Sequence, residues 1–109
     1  MRRYINIVEN ASNPLSEVEN FAKTVGVDLS MRKEDGFLVI DWIENKGEKG
    51  AAREVLDRLK AVVAEHDVPL RLEVWDANQK LIEYYESLDF MLDGEPEEGQ
   101  PVYMVWAAS

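Results

Sequence analysis

The sequence predicts a mixed α/β fold on one central sheet, and three observations predict it. Apolar residues recur at helical spacing in some stretches and at a period of two in others. The two patterns interleave along the chain, the order expected when helices pack against a sheet. At 109 residues the chain holds one folding unit, so these elements share one core.

The first 27 residues read as helical. Tyr4, Ile5, Ile7 and Val8 fall on one side of a short helix, and Ser12-Asn13-Pro14 interrupts the chain and restarts it. Ser16 and Glu19 have capping-box spacing ahead of Val18, Phe21, Ala22 and Val25, and Gly26 is the expected stop. Leu29 and Met31 alternate with polar residues, and Glu34-Asp35-Gly36 offers turn chemistry. Phe37 to Ile43 is apolar enough to predict a buried strand.

A glycine-punctuated loop, Lys46 to Gly50, opens the next helix. Val55, Leu56, Leu59, Val62 and Val63 form its stripe. His66, at its end after Glu65, reads as a cap. Beyond Pro69, Leu70, Leu72 and Val74 alternate with Arg71, Glu73 and Trp75, a further strand. The spacing of Leu81, Ile82, Tyr85 and Leu88 predicts a helix over 77–88. Phe90 to Leu92 and Val102 to Trp106 bracket an acidic loop, read as a solvated hairpin connection. Strand 37–44, helix 50–66 and strand 70–75 form a strand-helix-strand unit with a right-handed parallel crossover expected.

Composition narrows the chemistry. Twenty-two acids against twelve Lys plus Arg give a net charge of -10, which opposes direct binding of nucleic acid, because phosphate binding needs a positive surface. The absence of cysteine excludes disulfides, thiolate metal sites and cysteine nucleophiles. One histidine cannot build a histidine-based zinc site, and no metal site is expected. No apolar run reaches the roughly 20 residues of a membrane span. A soluble, cytoplasmic setting is therefore expected. Small-molecule chemistry without metal or thiol remains, or a protein-binding role.

The loop Gly47-Glu48-Lys49-Gly50-Ala51-Ala52 precedes a helix N-terminus, whose unpaired N–H groups and partial positive charge receive phosphate. Lys46, Lys49 and Arg53 add positive charge in a chain otherwise strongly negative. Neither the P-loop nor the dinucleotide pattern fits, since the gap between the glycines is two residues and Ala-Ala follows.

The second half carries a resemblance. Val74, Asn78, Tyr85, Leu88 and Phe90 fall on the pattern of the last helix of the GNAT acetyltransferase superfamily, with Asp89 in the place of a glycine. That family's pyrophosphate loop reads [RQ]-x-x-G-x-[GA] followed by two aliphatic residues; Gly50 and Ala52 match it, Val55 and Leu56 take the aliphatic places, and Gly47 stands where Arg or Gln is usual. The chain thus resembles a compact GNAT domain over 1–109, with 37–106 as the acetyl-CoA-binding core and 1–36 as a shortened, atypical front.

The resemblance implies a central mixed sheet whose parallel strand pair splays apart at a bulge, with the pantetheine arm of acetyl-CoA in the gap. Trp42, Ile43 and Glu44 would meet that arm through backbone, and the pyrophosphate would sit on the amides of Gly47, Glu48, Lys49, Gly50, Ala51, Ala52 and Arg53. Asn78 would contact the arm or fix the preceding loop. The implied reaction is direct attack of an amine on the thioester, with Tyr85 donating a proton to the departing thiolate and a backbone N–H near Trp42 or Ile43 facing the oxyanion. Asp41 and Glu73 are the alternatives for a base, and some members of the family use none.

The acceptor classes left open are a basic peptide, a protein lysine and a polyamine. The competing expectation is a catalytically inactive acidic protein of the same fold that binds a basic surface of a partner. An open, partly cationic slot beside Gly50 to Ala52 favours the enzyme; a slot filled by Trp42 or Trp75 favours the binder. The apolar strand 102–106 is the expected place for a homodimer to pair.

Overall fold

Pro14 fixes the backbone at the first turn of a helix, where its missing N–H costs nothing, and α1 runs Pro14–Thr24. The computed structural model describes residues 14–34 and 36–108; the short helix expected around Tyr4 to Val8 lies outside them. Ser16 sits inside α1 rather than ahead of it, so the anticipated Ser16/Glu19 capping box is not how this helix begins. Gly26, at φ 80°, turns the chain into β1, Val27–Glu34.

The remaining elements are β2 (Phe37–Asn45), α2 (Ala51–Glu65), β3 (Leu70–Val74), a 3-10 turn (Trp75–Ala77), α3 (Gln79–Glu86), β4 (Met91–Asp93) and β5 (Val102–Trp106). The strands form one mixed sheet in the order β1-β2-β3-β5-β4. Among the described residues only β2 and β3 pair in parallel, and they are the pair joined through α2. β5 lies between β3 and β4 and so is not an edge strand, and its Val102 and Met104 are buried in the core.

One buried cluster joins the elements. It takes Leu15, Val18 and Ala22 from α1, Val55, Leu56, Leu59 and Val63 from α2, and Ile82 and Tyr85 from α3. Leu38, Ile40, Leu70, Leu72, Val74, Val102 and Met104 meet them from the sheet. Arg71 and Glu73 alternate with the buried residues of β3 and point to the opposite face, because successive strand side chains do so.

The helix expected over 77–88 is shorter at both ends. Asn78 is its N-cap and accepts from the backbone N–H groups of Lys80 and Leu81 at 3.1 and 3.2 Å. At the other end the N–H of Phe90 reaches the Tyr85 carbonyl, and that of Asp89 the Glu86 carbonyl, both at 3.0 Å. This is the reciprocal pairing of a Schellman ending, which needs a left-handed residue. Asp89 supplies it at φ 72°. The aspartate thus adopts the conformation that a glycine serves more cheaply. Lys60 of α2 donates to the Leu88 carbonyl, closing the same end from outside.

Candidate functional site

Two irregularities in β2 make the site. The first is a bulge. Ser30 and Met31 are consecutive on β1, yet they face Trp42 and Ile40, so β2 carries Asp41 as an extra residue. A bulge bends its strand and increases the local twist. The second is a divergence. β2 pairs with β3 only through Leu38, Val39 and Ile40. Continuing that register would pair Asp41 with Glu73 and Trp42 with Val74, and neither pair forms. Beyond Ile40 the two strands splay.

This divergence also corrects the expectation of a fully buried strand from Phe37 to Ile43. Leu38, Val39 and Ile40 are buried, but Ile43 is only half-buried and Trp42 is 54% exposed. An apolar run cannot report where its neighbouring strand leaves it.

The gap is an open cleft of about 260 Å³, lined by Ile40, Asp41, Trp42, Ile43, Glu44, Leu72, Glu73, Trp75, Leu81 and Tyr85. Six residues read from the sequence as catalytic or cofactor-binding candidates therefore come together, Asp41, Trp42, Ile43, Glu44, Glu73 and Tyr85, along with Trp75. Tyr85 arrives from α3 on the helix side, and Glu73 from the opposite face of β3. They line one space because the strands between them have parted. Trp42 and Trp75 stand on its rim, 54% and 67% exposed, rather than filling it.

The Tyr85 ring packs edge-on to Tyr84 and to Phe90, at centroid distances of 5.3 and 5.8 Å. Burial pushes its phenol from 10.0 up to about 12, with a smaller contribution from Tyr84. Both effects disfavour the phenolate. The hydroxyl makes no hydrogen bond to another described residue, and it is not sealed from solvent. Its free valence is therefore left to whatever occupies the cleft.

The carboxylates differ in what holds them. Asp41 accepts from the Arg32 guanidinium at 2.6 Å, and Arg32 also pairs with Glu34. Glu44 lies 4.0 Å from the Lys46 ammonium, which is bound more closely by Asp28 at 2.7 Å. That hydrogen bond to Asp28 is the main reason the Lys46 pKa is raised. Glu73 has no ion pair among the described residues.

The glycine loop lies apart from this cleft. Gly47, Glu48, Lys49 and Ala51 line a second cavity of about 490 Å³ with Thr24, Val25, Gly26 and Glu54. The two cavities share no lining residue. Gly50, Ala52 and Arg53 line neither, and Asn78 spends its side-chain oxygen on capping α3. Gly50 precedes α2 at φ 92°, and no side chain caps the helix. The Ala51 amide is already donated to the Glu48 carbonyl at 3.1 Å. The first-turn N–H groups left over are those of Ala52 and Arg53.

The glycine at position 47 has a steric reason. A Cβ there would lie 2.0 Å from the Val25 carbonyl oxygen, and one on Gly26 would lie 2.9 Å from the Gly47 Cα. The loop is pressed against the end of α1, with the Lys46 N–H donating to the Gly26 carbonyl at 2.8 Å. Asn45 shapes the turn from within, accepting from the Gly47 N–H and donating to the Glu48 carbonyl, both at 2.9 Å.

Arg32 and Asn45 carry no signal in the sequence that ties them to the site, and Leu81 reads there as part of a helical stripe. Leu81 and Trp75 were legible as large apolar residues just beyond the end of a strand. The pairing of Arg32 with Asp41 depends on the bulge, which no spacing in the sequence announces.

No family model matches the sequence, and a search among curated proteins finds none similar to it. Among solved structures the fold is similar to that in a crystal structure of the anti-CRISPR protein AcrVA5. The TM-score is 0.59 at 26% identity, over 75% of this chain and 90% of that one. Among the described residues no group of acidic or histidine side chains is arranged to hold a metal ion, and no helix is long and apolar enough to cross a membrane.

Proposed function

We propose that the protein is an acetyl-CoA-dependent N-acetyltransferase of the GNAT type, moving an acetyl group to an amine by direct attack. The observation that carries this reading is the open wedge between β2 and β3, with Tyr85 on its wall. A strand that has lost its neighbour offers backbone N–H and C=O groups from Asp41 to Asn45, and the pantetheine amides satisfy them. A buried phenol held neutral faces the same space.

In this reading the pyrophosphate binds the first-turn amides of Ala52 and Arg53 together with the Gly50 N–H. It stays outside the second cavity, whose walls include Glu48 and Glu54, because carboxylates repel it. A backbone N–H near Trp42 or Ile43 stabilises the oxyanion. Tyr85 gives its proton to the thiolate as the carbon–sulfur bond breaks. A phenol near 12 is a weaker acid than a free tyrosine, but the partial burial that raises it also raises a thiol departing beside it. Asn78 acts by fixing the start of α3, and thereby Tyr85. The setting is the cytoplasm, where acetyl-CoA is available.

The test is a calorimetric titration with acetyl-CoA, using Arg53→Glu as the control. Glutamate in the first turn suits the helix dipole, so the variant folds, while its charge opposes the pyrophosphate. Micromolar binding that weakens in the variant supports the reading. No binding to the folded wild type overturns it.

A second reading is favoured by the net charge of -10 and by the likeness to a protein titled an anti-CRISPR. Here the chain is an inactive fold that binds a basic surface of a protein partner. It retains partner binding when the cleft is blocked.

A further inference from the structure

We propose that the outer mouth of the cleft seats the acceptor's alkylammonium group, with Glu73 as its counter-charge and the indoles of Trp42 and Trp75 as its walls. This deepens the transferase reading and rests on it.

The cleft is lined by three carboxylates and no basic side chain, so its field favours a cation. Two of the three are already engaged: Asp41 by Arg32 at 2.6 Å, and Glu44 at the margin of the Lys46 cluster, at 4.0 Å. Glu73 alone lines the wall with its charge uncompensated among the described residues. It is also half-buried, whereas Asp41 and Glu44 are exposed. A carboxylate in that position gains more from a bound cation than one in open water.

The aromatic rim is the second observation. Trp42 and Trp75 carry large exposed surfaces into the same cleft. Tryptophan is the side chain whose face attracts a cation most strongly, and its apolar area suits the methylenes that carry an ammonium.

Sidedness is the third. Glu73 reaches the cleft from the sheet face opposite Tyr85. An acceptor held by Glu73 then enters from the sheet face opposite Tyr85, the residue that meets the departing sulfur. Glu73 is therefore an acceptor-binding residue, and Asp41 is held out of that role by Arg32.

The experiment titrates the ¹⁵N-labelled full chain with n-butylammonium chloride, and in parallel with 1-butanol as the neutral counterpart. The indole N–H resonances of Trp42 and Trp75, assigned by substitution, are the readout. The expected result is that the cation moves both and the alcohol does not. Glu73→Gln then loses about tenfold in affinity, the cost of one charge-assisted contact, while Asp41→Asn stays within about twofold. Equal movement by the alcohol overturns the proposal in the wild type alone, whatever the variants do. Undiminished binding by Glu73→Gln overturns it too. Acetyl-CoA calorimetry on the same samples separates the two readings: a protein that binds acetyl-CoA and ignores the cation refutes the acceptor site only. One that binds the cation and ignores acetyl-CoA keeps the cation site and refutes the transferase.

Discussion

The Arg32 guanidinium donates to the Asp41 carboxylate at 2.6 Å, and this bond spans β1 and β2 at the residue that makes the bulge. The side chain that the bulge turns toward the cleft is thereby held by the strand behind it. Both partners are well exposed, so the pair contributes under about 1 kcal/mol. Asp41→Asn is expected to unfold in urea within about 1 kcal/mol of wild type and to keep acetyl-CoA affinity. A loss of several kcal/mol by the same measurement would show that the bulge depends on the pair.

Tyr85 ties stability to alkaline pH. Its folded pKa of about 12 exceeds the ordinary 10.0, so the folded protein keeps this proton where the unfolded chain releases it. The stabilisation is fully present below pH 10 and is lost as pH rises toward 12, a change of at most about 3 kcal/mol. In Tyr85→Phe that slope disappears, and the phenolate absorbance titration loses its latest step. If transfer proceeds as proposed, turnover falls by about 10²-fold or more with cofactor affinity kept.

Four described non-glycine residues, Asp67, Asp76, Ala77 and Asp89, adopt left-handed backbone, and two of them bound α3 and its preceding turn. Ala77 and Asp89 adopt φ 49° and φ 72°. Asp89→Gly and Ala77→Gly are each expected to raise the unfolding free energy by about 0.5–1 kcal/mol, read as an increased denaturant midpoint at constant slope. The aspartate gains less, because its short polar side chain tolerates this region.

Gly47 predicts the opposite sign. With the Val25 carbonyl oxygen 2.0 Å from where a Cβ would sit, Gly47→Ala forces the loop off α1. The expected cost is about 3 kcal/mol or more, with acetyl-CoA affinity falling alongside. Gly47→Arg is harmful for the same reason, despite its favourable charge.

Much of the architecture was legible in the sequence, and the reason is periodicity. Leu70, Leu72 and Val74 alternate and are buried; Val55, Leu56, Leu59 and Val63 recur at helical spacing and are buried. Local order of this kind survives without knowledge of neighbours. Gly26 and His66 were readable as helix ends on local chemistry, and His66 does bond the Val62 carbonyl through Nδ1 at 3.0 Å. Ser16 misled because capping chemistry recurs inside helices, and Pro14 two residues earlier is the stronger signal. The site was legible only residue by residue. Asp41, Glu73 and Tyr85 were singled out, but the state of each carboxylate depends on Arg32 and Lys46, which come from elsewhere in the sheet and loop. Gly47 looked like a missing contact and is a packing requirement, decided by Val25 and Gly26 across the loop.

The divergence of β2 from β3 also bears on solubility. Five consecutive residues, 41–45, lack a partner on the β3 side, and a bare strand edge ordinarily recruits another chain. This edge is unusual in lying inside the sheet. β3 bounds the wedge, and the remaining space of about 260 Å³ is too small for a strand with its side chains. A slender ligand fits, whereas a growing fibril does not. The fold can keep hydrogen-bonding groups open in its middle without offering them to neighbouring molecules.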